Sequence, residues 1–355
     1  MFLLDSHCDT PSQILRLRDL AIDNEYAHVD FPKLRRGGVD GAFFALYTPA
    51  PLSSSESYIY ATKLLAGVRK VLKFHHDKAR LATKRSEAYA NKEKGLFSIF
   101  LGLENGQALG DSLDRIHEFY DAGVRYITLC HSKNNQICDS CAEGGGWRGL
   151  SPFGKDVVRK MNSLDMLVDV SHISDESFYD VLETSEKPVV ATHSCCRSLC
   201  SHPRNMTDDM IRRLAEAGGV IQINFYPLFL DNKFKLVLEN SRIMEYGEQI
   251  ESEFIADPGN SEKRKAWNKV QAELQALKRP SYRLIADHID HVVNLVGIDH
   301  VGIGSDYDGI EVTPEGMEDI SKMPVLFKEL RDRGYKESDL CKIASDNFFR
   351  VLNNN

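Results

Sequence analysis

The stretch SPFGKDVVRKMNSLDMLVDVSH (151–172) contains a helical pattern, a strand pattern and a histidine in that order. Apolar residues of its first part, 151–164, recur at the spacing of an amphipathic helix. The run Leu167–Val170 is short and apolar, which is typical of a strand in a buried parallel sheet. His172 follows the run almost directly. The stretch therefore predicts one helix–strand unit of an α/β protein, with a potential metal ligand after the strand.

The same unit recurs along the whole chain. Short apolar runs alternate with amphipathic segments such as SLDRIHEFYDAG (112–123). Eight strands separated by helices favour a closed (β/α)8 TIM-like barrel, and we expect residues 1–355 to form this single domain. The predicted strands are Phe2–Asp5, Gly41–Tyr47, Phe97–Gly102, Tyr126–Leu129, Leu167–Val170, Val189–Ala191, Val220–Asn224 and Val301–Gly304.

One segment departs from this repeat. Residues 230–280 are charged and helical in period, and they stand before the last predicted strand. We interpret them as a helical excursion inserted in the barrel, since a charged helix is usually a solvated face. The alternative is a lid or an oligomer contact, because loops on that side of a barrel surround the active site. If the segment is an oligomer contact, the protein could form a homodimer.

Composition restricts the class of protein. The chain has 355 residues, of which 42% are hydrophobic and 27% charged, as expected for a globular protein with a large core. The net charge of -8 argues against nucleic acid as a partner, because phosphate binding needs clustered Lys and Arg. No apolar run is long enough for a transmembrane helix. Asp5 and His7 interrupt the N-terminus before a signal-peptide core could form. We therefore expect a cytoplasmic protein without a membrane anchor, whose eight cysteines are mostly free thiols.

Histidines and carboxylates stand at the ends of the predicted strands. In a parallel barrel, the carboxyl ends of all strands meet at one mouth, where catalytic groups lie. Seven residues spread over three hundred positions would then converge on one pocket. In strand order they are His7 and Asp9, Glu104, His131, His172, His193 and Asp306.

The chemistry of this set is that of a metal centre with two ions. His7 and Asp9 are two positions apart, so they point the same way in an extended chain. Glu104 is the candidate bridge, because a carboxylate offers two oxygens. His172 and His193 would complete the second ion. Imidazole and carboxylate ligands make zinc the default, although Mn, Co or Fe suit such a site. Two residues remain for proton transfer and charge stabilisation, His131 and Asp306.

Other candidate ligands lack a supporting pattern. Cys138 and Cys141 form a lone C-x-x-C motif, whereas a zinc ribbon needs a second pair. His288 and His291 could face the same side of one helix, but they lack the H-E-x-x-H pattern. We interpret these two as ordinary histidines of a helix surface.

Ten motifs in this chain carry a family resemblance. The sequence resembles the renal (membrane) dipeptidase family, metallopeptidases of the amidohydrolase-like TIM-barrel type. The resemblance keeps the order of the family and covers nearly the whole chain. The motifs are DSHCDTP (5–11), FPKLRRGGVDGAFFALYTP (31–49), GLENG (102–106), TLCHSKNN (128–135), GLSPFGKDVV (149–158), DVSHIS (169–174), ATHS (191–194), HPRNMTDD (202–209), INFYP (223–227) and GIGSDYDG (302–309).

The resemblance implies roles for individual residues. Two roles go beyond the argument from strand ends: Arg204 is implied to bind substrate and Tyr226 to line the pocket. The segment 230–280 looks longer than its counterpart in the animal members, which are secreted, disulfide-bonded and lipid-anchored. The remaining implied roles are one metal on His7 and Asp9, a bridging Glu104, the other metal on His172 and His193, and substrate binding or catalysis by His131 and Asp306.

The expected function is hydrolysis of dipeptides by a binuclear zinc enzyme. A hydroxide between the two ions would attack the peptide carbonyl. Asp306 would handle the proton, His131 would stabilise the oxyanion, and Arg204 would clamp the free carboxylate. The alternative is a related barrel enzyme that acts on N-acyl amino acids, cyclic amides or lactones. A non-catalytic metal-binding barrel is disfavoured, because structural zinc sites are usually closed and rich in Cys.

Overall fold

The strands of the computed structural model, which describes residues 1–353, lie in one parallel sheet. The ladder runs in the order β1-β2-β4-β5-β6-β7-β8-β9, and β3 pairs with the first half of β4. The strands of this described part are β1 Leu4–Cys8, β2 Gly41–Tyr47, β3 Ala79–Leu81, β4 Phe97–Glu104, β5 Val124–Thr128, β6 Leu167–Asp169, β7 Val190–Ser194, β8 Val220–Ile223 and β9 Val301–Ile303.

The two ends of this ladder meet. A parallel bridge joins Cys8, the last residue of β1, to Tyr307, just beyond β9. The backbone N–H of Asp306 donates to the carbonyl oxygen of His7 at 3.0 Å, and that of Asp9 donates to Tyr307 at 2.9 Å. The sheet is therefore a nearly closed eight-stranded barrel, and the predicted (β/α)8 fold is confirmed.

Helices connect successive strands and cover the outside of the barrel. Their ends follow local signals: α6 begins after Ser151, whose hydroxyl accepts from the Gly154 N–H at 2.8 Å, with Pro152 in its first turn. None of the helices in the described residues is long and apolar enough to cross a membrane. The helices are α1 Thr10–Leu15, α2 Phe31–Gly37, α3 Ser54–Phe74, α4 Arg85–Glu93, α5 Asp114–Asp121, α6 Pro152–Ser163, α7 Asp175–Thr184, α8 Asp208–Glu216, α9 Pro227–Leu230, α10 Phe234–Ser241, α11 Ile243–Ala256, α12 Ser261–Gln275, α13 Arg283–Val296, α14 Met323–Asp332, α15 Glu337–Cys341 and α16 Asn347–Asn353.

The predicted strands lie where the sequence placed them, but several ends are shifted. The first strand is Leu4–Cys8 and the seventh is Val190–Ser194, so His7 and His193 lie within strands and not after them. Every residue of both strands is buried. Because polar side chains fill the inside of the mouth, the apolar runs of these two strands stop earlier than the strands do.

Aromatic side chains fill the lower part of the barrel. Phe43 stacks on Phe100 with ring centroids 4.8 Å apart, and Tyr126 lies 5.1 Å from Phe43. Phe348 and Phe349, from the last helix, contact this layer at 5.0 and 6.0 Å. The barrel therefore has a packed floor beneath the mouth where the polar residues lie.

The segment before the last barrel strand forms a helical excursion, as predicted. Helices α10, α11 and α12 share a hydrophobic cluster that is separate from the main core. Helix α13 then returns the chain to the outer layer and leads into β9. The buried members of the excursion cluster are Phe234, Leu238, Ile243, Phe254, Trp267, Val270, Leu274 and Val312.

Candidate metal centre

The barrel brings all seven predicted histidines and carboxylates together at its mouth. They form three overlapping groups, in each of which the candidate ligand atoms lie within 4.8 Å of one another. Glu104 belongs to two of these groups. The groups are His7 with Glu104 and His193, Glu104 with His131 and His172, and His7 with Asp9 and Asp306.

The carboxylate of Glu104 lies at the middle of the centre. Its Oε2 is 3.3 Å from Nε2 of His7. Its Oε1 faces the other side, 3.1 Å from Nε2 of His172 and 3.5 Å from Nε2 of His193. Each oxygen is thus nearest to a different set of imidazoles, and the two sets adjoin where the rings of His7 and His193 stack at 3.7 Å.

The donor atoms fit a metal cation. Nε2 of His7 and Oδ1 of Asp9 are buried without a hydrogen-bond partner in the described structure. Such buried polar atoms are unfavourable unless they are bound. His7 Nε2 also lies 3.4 Å from Asp9 Oδ2 and 4.0 Å from Asp306 Oδ1. Nitrogen and oxygen atoms that converge in this way are the donor set of a catalytic divalent ion.

The charges of the buried groups also favour a cation. Burial opposes ionisation of Glu104, but His7, His172 and His193 lower the pKa of its carboxyl well below the usual value. Burial would likewise lower the pKa of His7, yet Glu104 and Asp9 raise it well above the usual value. The carboxylates therefore favour positive charge beside Nε2 of His7, which a proton or a metal cation can supply.

His172 and His193 are neutral imidazoles at the centre. Burial, together with the positive charge of Arg204, holds the pKa of each ring well below the usual value. Their Nε2 atoms lie 2.9 Å apart. A neutral imidazole can bind a metal through an unprotonated nitrogen. Both rings are therefore in the state that a ligand needs.

A hydroxyl group determines which nitrogen of His193 faces the centre. Thr192 Oγ1 donates its proton to Oδ2 of Asp169 at 2.7 Å. The same oxygen lies 2.8 Å from Nδ1 of His193, so it accepts from that nitrogen. The proton of the neutral ring is then on Nδ1, which leaves the lone pair of Nε2 directed at the centre.

Tyr126 orients His7 from below. Its hydroxyl lies 2.8 Å from Nδ1 of His7, so Nε2 is the nitrogen that faces Glu104. Gly102 on the neighbouring strand leaves the space for this ring, because a Cβ at that position would lie 2.1 Å from Cζ of Tyr126. Any side chain at Gly102, the first glycine of the GLENG motif, would therefore clash with the ring of Tyr126.

Backbone strain accompanies the polar side chains. Asn105, His172 and Asp306 have φ of 76°, 72° and 65°, in the left-handed region that non-glycine residues seldom adopt. Each such residue costs on the order of 1–3 kcal/mol and persists where surrounding contacts hold it. For Asp306 one such contact is Asn224, whose Nδ2 donates to Oδ2 at 2.9 Å.

The pKa of Asp306 is raised to about 6. Burial is the main cause, and the charge of Glu104 acts in the same direction, against the stabilising effect of His7. His131 lies on the opposite side, with Nε2 3.9 Å from Oε1 of Glu104. Burial lowers the pKa of His131, which favours its neutral form.

Arg204 and Tyr226, which only the family resemblance indicated, lie behind the centre. Arg204 is 6% exposed, and its Nη1 and Nη2 donate to Ser194 Oγ at 2.8 Å and to the His193 carbonyl oxygen at 2.7 Å. Its Nε has no partner in the described structure. Tyr226 packs edge-on against Phe229 at 5.0 Å. Neither Arg204 nor Tyr226 belongs to the residues that line the cavity described next.

A cavity of about 490 Å³ opens above the centre. This volume is within the usual range for a small-molecule site, about 300–1,000 Å³. Its inner wall includes five of the seven predicted residues, and its outer wall includes residues of the excursion helices α11 and α12. The centre residues in the wall are Asp9, Glu104, His131, His172 and Asp306, and the excursion residues are Glu251, Ile255, Trp267 and Gln271.

The sequence analysis missed the residues that hold the ligands in place. Tyr126, Asp169, Thr192 and Asn224 all belong to strands or to their ends. Their only signal was polarity within otherwise apolar runs, such as Asp169 in Leu167–Val170. That signal does not say which ligand each residue contacts, because the contact depends on the register of neighbouring strands.

A parallel barrel with histidines and carboxylates at its mouth is the architecture of metal-dependent hydrolases. The chain belongs to the membrane dipeptidase family, peptidase family M19, whose model matches residues 1–355. It is therefore a metallopeptidase of the dipeptidase type, and its family implies a divalent metal.

Curated relatives match almost the whole chain. Dipeptidase verJ of Clonostachys rogersoniana is 30% identical over 367 residues, which cover 99% of this chain and 83% of that protein. An uncharacterised dipeptidase of Schizosaccharomyces pombe is 29% identical over 368 residues, which cover 98% of this chain and 80% of that protein.

Solved structures share the fold. The probable dipeptidase PvdM from Pseudomonas aeruginosa has a TM-score of 0.82 at 24% identity, over 100% of this chain and 95% of that one. A metallo peptidase from Rhodobacter sphaeroides was solved with a phosphinate mimic of the dipeptide L-Ala-D-Ala. It has a TM-score of 0.82 at 22% identity, over 100% of this chain and 99% of that one. The barrel architecture is thus that of solved dipeptidases.

Proposed function

We propose that this chain is a binuclear zinc dipeptidase, with residues 1–355 acting as one barrel domain that carries the excursion at about 230–280. The observation that supports it best is the position of Glu104. Its two carboxylate oxygens face different imidazole groups, at 3.3 Å for His7 and 3.1 Å for His172. A carboxylate placed in this way suits a bridge between two ions.

The proposed ligands divide into two sets around this bridge. His7 and Asp9 hold one ion, and His172 and His193 hold the other. The donor atoms are nitrogen and oxygen, so zinc fits, as do Mn, Co and Fe. When bound, such ions lower the pKa of a coordinated water toward neutrality and polarise a carbonyl oxygen.

Asp306 is proposed to move the proton during hydrolysis. Its Oδ2 is held by Asn224, while its Oδ1 lies 4.0 Å from Nε2 of His7 and faces the centre. The free oxygen can accept a proton from the attacking water and return it to the amine that leaves. His131, across the centre, is positioned to donate a hydrogen bond to the carbonyl oxygen as negative charge develops there.

Dipeptides are the proposed substrates. The family and its curated relatives are dipeptidases, and the Rhodobacter sphaeroides relative was solved with a dipeptide mimic. Arg204 is proposed to pair with the free carboxylate through its Nε, which is buried without a partner, while Ser194 and the His193 carbonyl hold its Nη atoms outside the cavity wall. The cavity of about 490 Å³ is within the usual range for a small-molecule ligand such as a dipeptide.

The Glu104→Gln variant tests the bridge and the function together. The amide keeps the shape of the side chain but removes the negative charge that both ions share. We expect the zinc content of the purified variant, measured by plasma mass spectrometry, to fall below two per chain. Hydrolysis of L,L and L,D dipeptides, followed by chromatography, should be lost with it. Glu93→Gln, an exposed position on α4, is the matched control and should retain both.

Two results would contradict the proposal. Full occupancy with normal turnover in Glu104→Gln would exclude the bridging role. A parent enzyme that hydrolyses N-acyl amino acids, cyclic amides or lactones while leaving dipeptides intact would support the related barrel amidohydrolase instead.

A further inference from the structure

The outer wall of the cavity contains charged side chains of both signs. Arg16 pairs with Glu251 of the excursion, with Nη1 2.9 Å from Oε1. Arg18 pairs with Asp308, with Nη1 2.6 Å from Oδ1. These pairs neutralise the two arginines and two of the carboxylates in the wall. The charge of a fifth residue, Glu311, remains uncompensated.

Glu311 is a carboxylate without a cationic partner. Within residues 1–353, no Lys or Arg forms an ion pair with it or acts on its pKa, although it is half-buried and lines the cavity. Burial raises the pKa of its carboxyl, and the charges of Glu251 and Asp306 raise it further, while a hydrogen bond from Tyr226 acts in the opposite direction. Tyr226 provides one proton for a hydrogen bond but no positive charge.

A half-buried carboxylate without a cationic partner is less favourable than one that a cation approaches. Its own chain does not supply one among the described residues, and the carboxylate lies in the wall of a cavity that also contains Asp306. A bound substrate with a cationic side chain would supply the missing charge. The same substrate would also favour the ionised form of Glu311, whose pKa the charges of Glu251 and Asp306 raise.

The rest of the wall suits the stem of such a side chain. Tyr47, Tyr60 and Trp267 line the cavity together with Ile255. Lys and Arg side chains bury an aliphatic stem along apolar surface and keep the charged group beside a polar partner. Aromatic faces also attract a cation at short range. An aromatic and aliphatic wall beside the unpaired carboxylate of Glu311 matches this chemistry.

We propose that Glu311 determines specificity, and that the enzyme prefers dipeptides in which one residue has a cationic side chain. The proposal rests on the dipeptidase function proposed above and adds the class of side chain. Glu311 lies just beyond the GIGSDYDG motif, on the loop that contains Asp306. This loop therefore contributes both to the reaction and to the selection of substrate.

The test compares lysine with norleucine, which has a similar stem but no charge. The zinc-loaded enzyme is assayed with Lys-Ala and Ala-Lys against Nle-Ala and Ala-Nle. We expect kcat/KM for at least one lysine dipeptide to exceed that of its norleucine counterpart by more than about tenfold. Glu311→Gln should remove most of this preference and leave the norleucine values within about twofold. Glu315→Gln, an exposed carboxylate on the same loop, should retain the preference.

A charge-reversal variant gives a second measurement that does not depend on loss of activity. Glu311→Lys should favour Glu-Ala or Ala-Glu over the lysine dipeptides, with zinc content as the check that the variant is folded. Equal loss for lysine and norleucine substrates in Glu311→Gln would overturn the proposal, because both substrates share the terminal amine. Cleavage of all dipeptides by the parent without a lysine preference would overturn it while leaving the dipeptidase function intact. A parent that cleaves none of them would overturn both.

Discussion

Residue contacts behind the metal centre explain how a flexible imidazole is held in one orientation. Thr192 can donate only one proton, and Asp169 takes it, so the oxygen must accept from Nδ1 of His193. Thr128 donates to the same Asp169 oxygen at 2.5 Å, which fixes this carboxylate from a third strand. The tautomer of His193 is therefore set by residues that do not line the cavity.

The Thr192→Val variant tests this arrangement. Valine keeps the branched shape but cannot accept from Nδ1, so the tautomer and the ring orientation of His193 are no longer fixed. We expect zinc affinity to fall by about 10–100-fold, the usual effect of losing a group that orients a ligand. Competition of the apoenzyme with a chromophoric chelator measures this affinity.

Thr192→Ser is the matched control for that variant, since serine retains the hydroxyl, and it should keep most of the affinity. Unchanged zinc binding in Thr192→Val would show that packing alone orients His193.

At the scale of elements, the sequence predicts the strands better than their ends. The eight apolar runs are found as strands because a parallel barrel buries both faces. The ends shift where polar side chains point into the mouth, as at His7 and His193. The short strand Ala79–Leu81 was missed because two of its three residues are exposed and it adds no apolar run.

The functional site, like the fold, could be predicted in part from the sequence. The seven ligands and catalytic candidates could be predicted because each stands at or near a strand end, and those ends converge in any parallel barrel. The groups that orient them could not be predicted, since Asp169 meets Thr192 only through the register of β6 and β7. The place of Glu311 in the wall depends on a loop, for which the sequence has no periodic signal.

The excursion is an element with a core of its own, and Trp267 is the largest side chain in it. This residue is 6% exposed and also lines the cavity. Trp267→Ala should destabilise the excursion by about 3–5 kcal/mol, as is usual for loss of a buried aromatic ring. The main core does not contain it, so the barrel and its metal content should be unaffected.

Hydrogen exchange followed by mass spectrometry measures the effect, because protection should fall in peptides from α10 to α12 and persist in the barrel strands. Leu236→Ala, 62% exposed on α10, is the control and should leave the exchange unchanged. Equal loss of protection in the strands would show that barrel and excursion unfold as one unit.

At the scale of the whole molecule, the buried residue His288 makes the free energy of unfolding depend on pH. His288 was expected on a helix surface, but it is 1% exposed, and its Nδ1 accepts from the Cys196 N–H at 3.0 Å. Burial lowers its pKa to about 4. The helix face of α13 that carries His288 packs on the barrel, whereas the sequence pattern of DHIDH alone suggested solvent.

Stability should therefore fall as the pH falls through the range between the usual histidine value of about 6.5 and the folded value of about 4. In that range the unfolded chain binds a proton on His288 that the folded chain does not bind. The contribution at pH 5 amounts to about 2 kcal/mol. His288→Gln should reduce the loss of unfolding free energy between pH 7.5 and pH 5 by about this amount, as measured by urea unfolding.

His76→Gln, at an exposed position, is the control for this measurement and should leave the pH dependence as it is in the parent. If His288→Gln and the parent lose the same free energy, protonation of His288 is not coupled to unfolding.

The separate core of the excursion has an evolutionary consequence. The metal ligands come from barrel strands and their loops, whereas part of the cavity wall comes from α11 and α12. Mutations in these helices can therefore change the shape of the cavity wall without disturbing the reacting groups, so selection does not remove them for loss of catalysis. Descendants of one ancestral barrel could in this way diverge in the dipeptides they digest while inheriting the same chemistry.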